Sequence, residues 1–318
     1  MILGTKARVR YPFTLPSHPL LRALLASALL AAVTTLAGCG GAPPSPGRHM
    51  QPLSERTLAE LKAKNMEKES PILIRIFKEE AELEVWKEDD SGRFALFRTY
   101  PVCRWSGQLG PKIKTGDRQA PEGFYTITPG MMNPNSSQYL SINTGFPNAY
   151  DRANGRTGSF LMIHGGCSSA GCYAMTDEQM AEIYALAREA FFAGQASFQL
   201  QAYPFRMTPL NMARHRNSPH MAFWETIKQG HDRFEVTQLE PRVAVCEKRY
   251  VFDATDTLSP AERCPAYSVS DDIAAAIREK QHRDDAEIAD LINRGIPPAP
   301  ITTGVDGGIN PAFLAAAK

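Results

Sequence analysis

Several things are missing from this 318-residue chain, and each absence excludes something. It has almost no net charge, +1 with histidine neutral, so it lacks the strongly basic surface that a nucleic-acid partner requires, and no nucleic-acid partner is expected. No apolar run is long enough for a bilayer span. The run Leu24 to Leu36 falls well short of the roughly 20 residues that such a span takes. There is no internal repeat, which excludes a stacked-repeat architecture. What is present, 43% hydrophobic and 22% charged residues, is ordinary globular composition with room for one or two cored domains.

Acidic residues are also missing from 1–38, which hold Lys6, Arg8, Arg10 and Arg22. A basic segment followed by a short apolar run reads as a secretory signal peptide. It closes on Leu36-Ala37-Gly38-Cys39, which resembles the bacterial lipobox and makes Cys39 the expected lipid-modified first residue of the mature chain. A soluble exported protein cut nearby and an uncleaved anchor are the alternatives. Residues 39–70 read as a Pro- and Gly-rich tether with a short helix from Ser54. No Asp follows Cys39, so the expected location is the periplasmic face of the envelope, anchored to the membrane by lipid, with the outer membrane favoured.

The body, 71–208, reads as β-rich. Ile72, Ile74 and Ile76 alternate with Leu73, Arg75 and Phe77, and strand patterns recur at 83–87, 94–97, 124–128, 138–143, 159–164 and 198–203. One clear helix follows Thr176, whose capping-box partner is Gln179, and Gly194 marks its end. Beyond it, 209–295 reads as an α/β extension: a helix over 210–230, a strand region over 242–252 and a long helix over 271–293. Residues 296–318, rich in Pro and Gly, read as a loose tail.

Export gives the cysteines a meaning. Five remain in the body, Cys103, Cys167, Cys172, Cys246 and Cys264, and in an oxidising compartment an odd count leaves a free thiol. The segment from His164 to Met175, HGGCSSAGCYAM, follows an apolar strand and precedes a capped helix. It gathers a histidine, thiols and glycine-flanked amides. A cysteine nucleophile acts as thiolate and needs a base or cation beside it, while Gly165, Gly166 and Gly171 let backbone amides approach a developing oxyanion. A zinc site from His164, Cys167 and Cys172 is a weaker reading, because no further His/Cys cluster stands nearby. A Cys167–Cys172 disulfide is another.

With the preceding meander and the turn Pro121-Glu122-Gly123, this segment resembles the YkuD-type L,D-transpeptidase catalytic domain. The stretches Cys103-Arg104-Trp105-Ser106-Gly107, Gly110-Pro111-Lys112, Pro147-Asn148-Ala149-Tyr150-Asp151 and Gly171-Cys172-Tyr173-Ala174-Met175-Thr176 are similar to its YafK-like branch. The resemblance covers about residues 70–208. It implies a mainly β, YkuD-like fold with a packed helix, extended by the C-terminal α/β region, and a cysteine acyl-transfer enzyme of the cell wall needing no metal or organic cofactor. The thiolate would attack the L-centre carbonyl of diaminopimelate in a peptidoglycan stem peptide, and an amine or water would resolve the thioester. Some YafK-like relatives crosslink the wall and others release a wall-anchored outer-membrane lipoprotein, which makes such a lipoprotein a second expected partner. The departures from the family pattern lie in recognition positions and favour hydrolysis slightly.

Carried over by position, Cys172 matches the nucleophile and His164 the base. Ser169 and Gly171 match the motif before the thiol, and Tyr173 stands beside the oxyanion region. Ala170 replaces a histidine common before Gly-Cys, and Ala174 replaces an arginine common two residues after the nucleophile. Carboxylate recognition must then be rebuilt elsewhere, with Lys112, Tyr150, Arg152, Arg156 and Arg206 as the substrate-binding candidates. A Cys246–Cys264 disulfide could contribute about 3 kcal/mol by loop entropy, and Cys103 with Cys167 could pair as well, leaving Cys172 free. A catalytically inactive wall-binding lipoprotein is the alternative from a different class.

Overall fold

A computed structural model describes residues 47–254, 258–264, 271–301 and 307–314. The expected signal peptide and Cys39 lie outside the described residues. The strands are β1 (Ile72–Phe77), β2 (Glu82–Glu88), β3 (Phe94–Pro101), β4 (Arg104–Trp105), β5 (Gly123–Ile127), β6 (Met132–Asn133), β7 (Ser141–Asn143), β8 (Met162–His164), β9 (Tyr173–Ala174), β10 (Phe198–Tyr203), β11 (Val243–Cys246) and β12 (Arg249–Phe252). The helices are α1 (Glu55–Ala63), α2 (Ala149–Ala153), α3 (Asp177–Phe192), α4 (Pro209–Arg214), α5 (Met221–Thr237), α6 (Asp271–Asn293) and α7 (Pro311–Leu314).

Two five-stranded sheets carry the fold, one in the order β3-β2-β1-β10-β5 and the other β4-β9-β8-β7-β6, with β11-β12 as a separate hairpin. Every neighbouring pair is antiparallel except β1 with β10 and β8 with β9. Strand β1 is buried along its whole length, as its near-continuous apolar run requires. Ile72, Ile74 and Ile76 face the main core, whereas Leu73 packs with Phe94 and Phe234, and Phe77 packs with Tyr203 and Trp224. Arg75 shares the second face, where its guanidinium lies 4.9 Å from the Phe234 ring centroid and 2.7 Å from Glu235.

Helix α3 begins as its sequence predicts: Gln179 N–H donates to the Thr176 hydroxyl at 3.2 Å, and the Gln179 side chain accepts from the Thr176 N–H at 3.0 Å. Met180, Ile183 and Leu186 are fully buried in the main core, each contributing about 2 kcal/mol by removal from water. The helix thereby touches β1 and β7, which belong to different sheets, and fixes the start of the segment that follows the reactive loop.

The chain passes residue 208 without leaving this body. Phe77, Phe124 and Tyr203 share one core with Trp224, Ile227 and Phe252, and the described residues from 47 onward belong to one compact unit. The single helix expected over 210–230 is two, α4 and α5, separated around Pro219, since proline removes a backbone donor. Gly230 does not end α5. A Cβ there would sit 2.3 Å from Phe252 and 2.4 Å from Phe124, so the glycine serves the close approach of the helix to two rings. The described part of the expected loose tail is docked: Asn310 donates from its side-chain amide to the carbonyls of Glu80 (3.2 Å) and Ala81 (3.0 Å), and Gly308 pairs with Trp105.

Candidate active site

Strand β8 ends at His164, and the chain returns in β9 as its parallel neighbour. Parallel neighbours usually need a crossover of a dozen or more residues, but here only 165–172 intervene. The tight return takes left-handed backbone at Gly166 (φ 79°), Cys167 (φ 50°) and Gly171 (φ 125°). The loop is fastened at several points. Gly165 N–H donates to the Leu140 carbonyl (3.2 Å), Gly166 N–H to Asp177 Oδ1 (2.8 Å) and Cys167 N–H to the Met175 carbonyl (3.1 Å). Cys167 is also bonded to Cys103, and Cys246 to Cys264; among the described residues Cys172 is the free cysteine.

Ser169 organises the turn that presents Cys172. Its hydroxyl accepts from the Cys172 N–H at 3.0 Å, donates to the Cys172 carbonyl at 2.7 Å and receives the Ser106 hydroxyl at 2.6 Å. The half-buried Cys172 Sγ accepts from Met162 N–H at 3.4 Å, and the thiol donates to the Phe160 carbonyl at 3.7 Å. Burial raises the thiol pKa above its ordinary value, against the smaller lowering by the Met162 N–H and the Lys112 charge.

His164 is buried, and its Nδ1 lies 2.5 Å from the Gly165 carbonyl. That contact places the ring proton on Nδ1 and leaves Nε2 with its lone pair as the basic atom. Burial lowers the imidazole pKa, with the Gly165 carbonyl opposing, so His164 is neutral near pH 7. The β8–β9 ladder sets His164 beside Ala174. Cys172 stands two residues before Ala174, immediately ahead of β9. The resting thiol is thus bonded to the backbone of 160–162 and makes no hydrogen bond to the imidazole.

The expected oxyanion donors are mostly occupied. Gly165 and Gly166 use their amides as loop anchors, and the Cys172 amide is held by Ser169. Gly171 N–H makes only a long 3.4 Å contact to the same hydroxyl. The Tyr173 ring is fully buried and its hydroxyl donates to the Pro121 carbonyl at 2.5 Å, so its side chain faces the core and not the thiol.

The substrate-binding candidates divide sharply. Lys112 is buried, 2.5 Å from Asp117, and close enough to act electrostatically on Cys172. Arg152 is exposed and donates to the Pro147 carbonyl. Arg156 pairs with Asp151 at 2.9 Å under the rings of Tyr150 and Phe223, and Tyr150 itself stacks on Tyr250 with centroids 4.3 Å apart. Arg206 is engaged by Glu82 and Glu84 at 2.5 and 2.8 Å over the Phe77 ring. Tyr150, Arg156 and Arg206 therefore serve packing, since their polar or aromatic surfaces are already matched within the chain. The roles of Ser106, Phe160 and Met162 depend on strand register and backbone groups, which residue types do not signal.

Among the described residues no group of three His, Cys, Asp or Glu side chains is placed to hold a metal ion. The L,D-transpeptidase catalytic domain family, YkuD, matches residues 72–193. The chain is 48% identical over 182 residues, 57% of its length and 74% of the relative's, to YafK of Escherichia coli K12, provisionally designated an L,D-transpeptidase, and equally to that of strain O157:H7. Among solved structures it is similar to the helical cell shape determining protein Pgp2 of Campylobacter jejuni (22% identity, TM-score 0.33), covering 50% of this chain and 57% of that one. It is also similar to Bdellovibrio bacteriovorus Bd1075 (17% identity, TM-score 0.30), covering 52% of this chain and 60% of that one. The free thiol, the tied loop and the extended match over the sheets agree: the chain belongs to the YkuD-type L,D-transpeptidase family, in its YafK-like branch.

Proposed function

We propose that this protein is a cysteine acyl-transfer enzyme acting on peptidoglycan stem peptides, with Cys172 as nucleophile and His164 as general base. The observation that carries the reading is a free, half-buried thiol two residues before Ala174, the ladder neighbour of His164, whose neutral imidazole has its Nδ1 already committed to a carbonyl. Because burial disfavours both charged forms, the resting pair is thiol and neutral histidine, and attack is base-assisted.

In this mechanism Sγ leaves the Phe160 carbonyl and gives its proton to His164 Nε2 as it bonds to the L-centre carbonyl carbon of diaminopimelate. The carbon–nitrogen bond breaks, and the departing amine takes the proton from the imidazolium. An incoming amine or water then loses a proton to Nε2, adds to the thioester carbon and expels the thiolate, which takes that proton back from the imidazolium and restores the resting pair. An amine gives a crosslink; water gives a trimmed stem or a released wall-anchored lipoprotein, and water is the favoured acceptor in this reading. Attachment to the membrane through a lipid on Cys39 belongs to the same proposal.

Mass spectrometry of products after incubation with sacculi carrying bound lipoprotein tests it. Crosslinked dimers, trimmed stems or freed lipoprotein, each absent with Cys172→Ala, are the expected result. Binding without any product identifies a wall-binding module instead.

A further inference from the structure

In the second sheet, Trp105, Tyr173, Ile163 and Ile142 form one row across four strands, and all four belong to the main core. Strand alternation turns the adjacent row, Arg104, Ala174, His164 and Ser141, to the opposite face. That is the face on which the mechanism above uses His164. Ser141, His164 and Ala174 are buried, and Arg104 closes the row half-buried.

Among the described residues the Arg104 guanidinium has no hydrogen-bond, ion-pair or ring partner. Partial withdrawal of a charge from water without a counter-group is unfavourable, whereas three of the other basic candidates are satisfied: Lys112 by Asp117, Arg156 by Asp151, Arg152 by a carbonyl. Only the methyl of Ala174 stands between Arg104 and His164, two rungs of about 4.8 Å each along the row. Position 104 is also held firmly. Cys103 is bonded to the reactive loop, and Trp105 exchanges backbone hydrogen bonds with Gly308 at 3.0 and 3.2 Å. Arg118 is also unpartnered and its backbone passes close to Gly171, but it is exposed, where an unpaired guanidinium is ordinary.

We propose that Arg104 is a carboxylate-binding residue of the site, gripping a free carboxylate of the stem peptide through its planar pair of N–H donors while Cys172 attacks. This rests on the acyl-transfer reading. Diaminopimelate acylated at its L-centre retains a D-centre carboxylate, and a stem ends in another; the test separates these two.

The test uses the full chain and its Arg104→Gln, Arg104→Lys and Arg118→Gln variants with stem peptides amidated at neither carboxylate, at the D-centre or at the terminus. Arg104→Gln is expected to raise KM about tenfold or more with a smaller change in kcat, and only for peptides that keep the recognised carboxylate; the peptide on which the effect vanishes identifies the source. Arg104→Lys recovers part of the loss. A second readout needs no turnover: Cys172 alkylation by anionic iodoacetate relative to neutral iodoacetamide should fall several-fold in Arg104→Gln. Failure of every stem peptide to react with wild type removes the enzymatic reading, while the alkylation ratio still decides whether Arg104 attracts anions to the thiol. An unchanged ratio, equal loss on acids and amides, or transfer of the effect to Arg118→Gln overturns the proposal.

Discussion

The hydroxyl of Ser169 grips both backbone groups of Cys172, accepting from its N–H at 3.0 Å and donating to its carbonyl at 2.7 Å. One side chain therefore sets the orientation of the peptide units on both sides of the thiol. Ser169→Ala leaves these groups without their partner and should cost about 2 kcal/mol, at roughly 1 kcal/mol per bond. Urea unfolding measures that loss. Ser169→Thr keeps the hydroxyl and should recover most of it; equal loss in both variants would contradict the bridging role.

Cys172→Ala should abolish turnover, and His164→Gln should lower kcat/KM by about 10²- to 10⁴-fold, the range for a general base. Since burial lowers the His164 pKa, the acid limb of the wild-type profile should fall below about pH 6.5, the ordinary imidazole value. In His164→Gln that limb should disappear. A limb that persists there assigns the base to another group.

The Cys103–Cys167 bond spans 64 residues, for which the loop-entropy relation gives about 4 kcal/mol. Replacing both cysteines by serine should lower stability by that order and slow turnover, because the loop that carries Cys172 loses a fastening. Thermal unfolding paired with an activity assay checks the two effects separately. Replacing Cys246 and Cys264 should lower stability by about 3 kcal/mol with activity preserved below the new melting temperature.

Beneath the 107–122 loop, fully buried Lys78 contacts Glu122 at 2.9 Å and donates to the carbonyls of Gly110 (3.0 Å) and Ala120 (3.1 Å), while Trp224 Nε1–H donates to the other Glu122 oxygen at 2.9 Å. Removing one partner of a buried pair strands the other charge. Lys78→Met should therefore destabilise by about 3–5 kcal/mol, and Lys78→Met with Glu122→Gln by less than the sum of the single changes. A double-mutant cycle in urea reads the difference.

Lys87, also fully buried, is lowered to about 8 by desolvation. The unfolded chain keeps that proton to about pH 10.4, so between these values it binds more protons than the native state. This site's contribution to stability therefore rises with pH. Wild type should gain on Lys87→Met as pH is raised from 8 to 10; a difference independent of pH rejects the assignment.

Much of the frame is written in local pattern. Ile72, Ile74 and Ile76 announce a strand, and Thr176 with Gln179 announces the start of α3, because period and capping act over a few residues. The resemblance carried by 164–176 singled out Cys172 and His164, which stand at the two ends of the loop joining β8 to β9. Other features needed the third dimension. The helix expected over 210–230 runs on past Gly230 because the glycine admits Phe252 and Phe124 against it. Arg156 and Arg206 read as free charges until Asp151, Glu82 and Glu84 are found beside them. The described parts of the tail read as loose because the carbonyls that capture Asn310, those of Glu80 and Ala81, lie more than 200 positions away in the chain.

Cys167 stands five positions before the nucleophile, which makes it the sulfur most often encountered by Cys172 while the chain is still unfolded. Marrying Cys167 to the distant Cys103 removes that rival. With Cys167 occupied, Cys172 stays a thiol, and chains oxidised before the second sheet has assembled should accumulate a short 167–172 ring in which Cys172 can no longer attack.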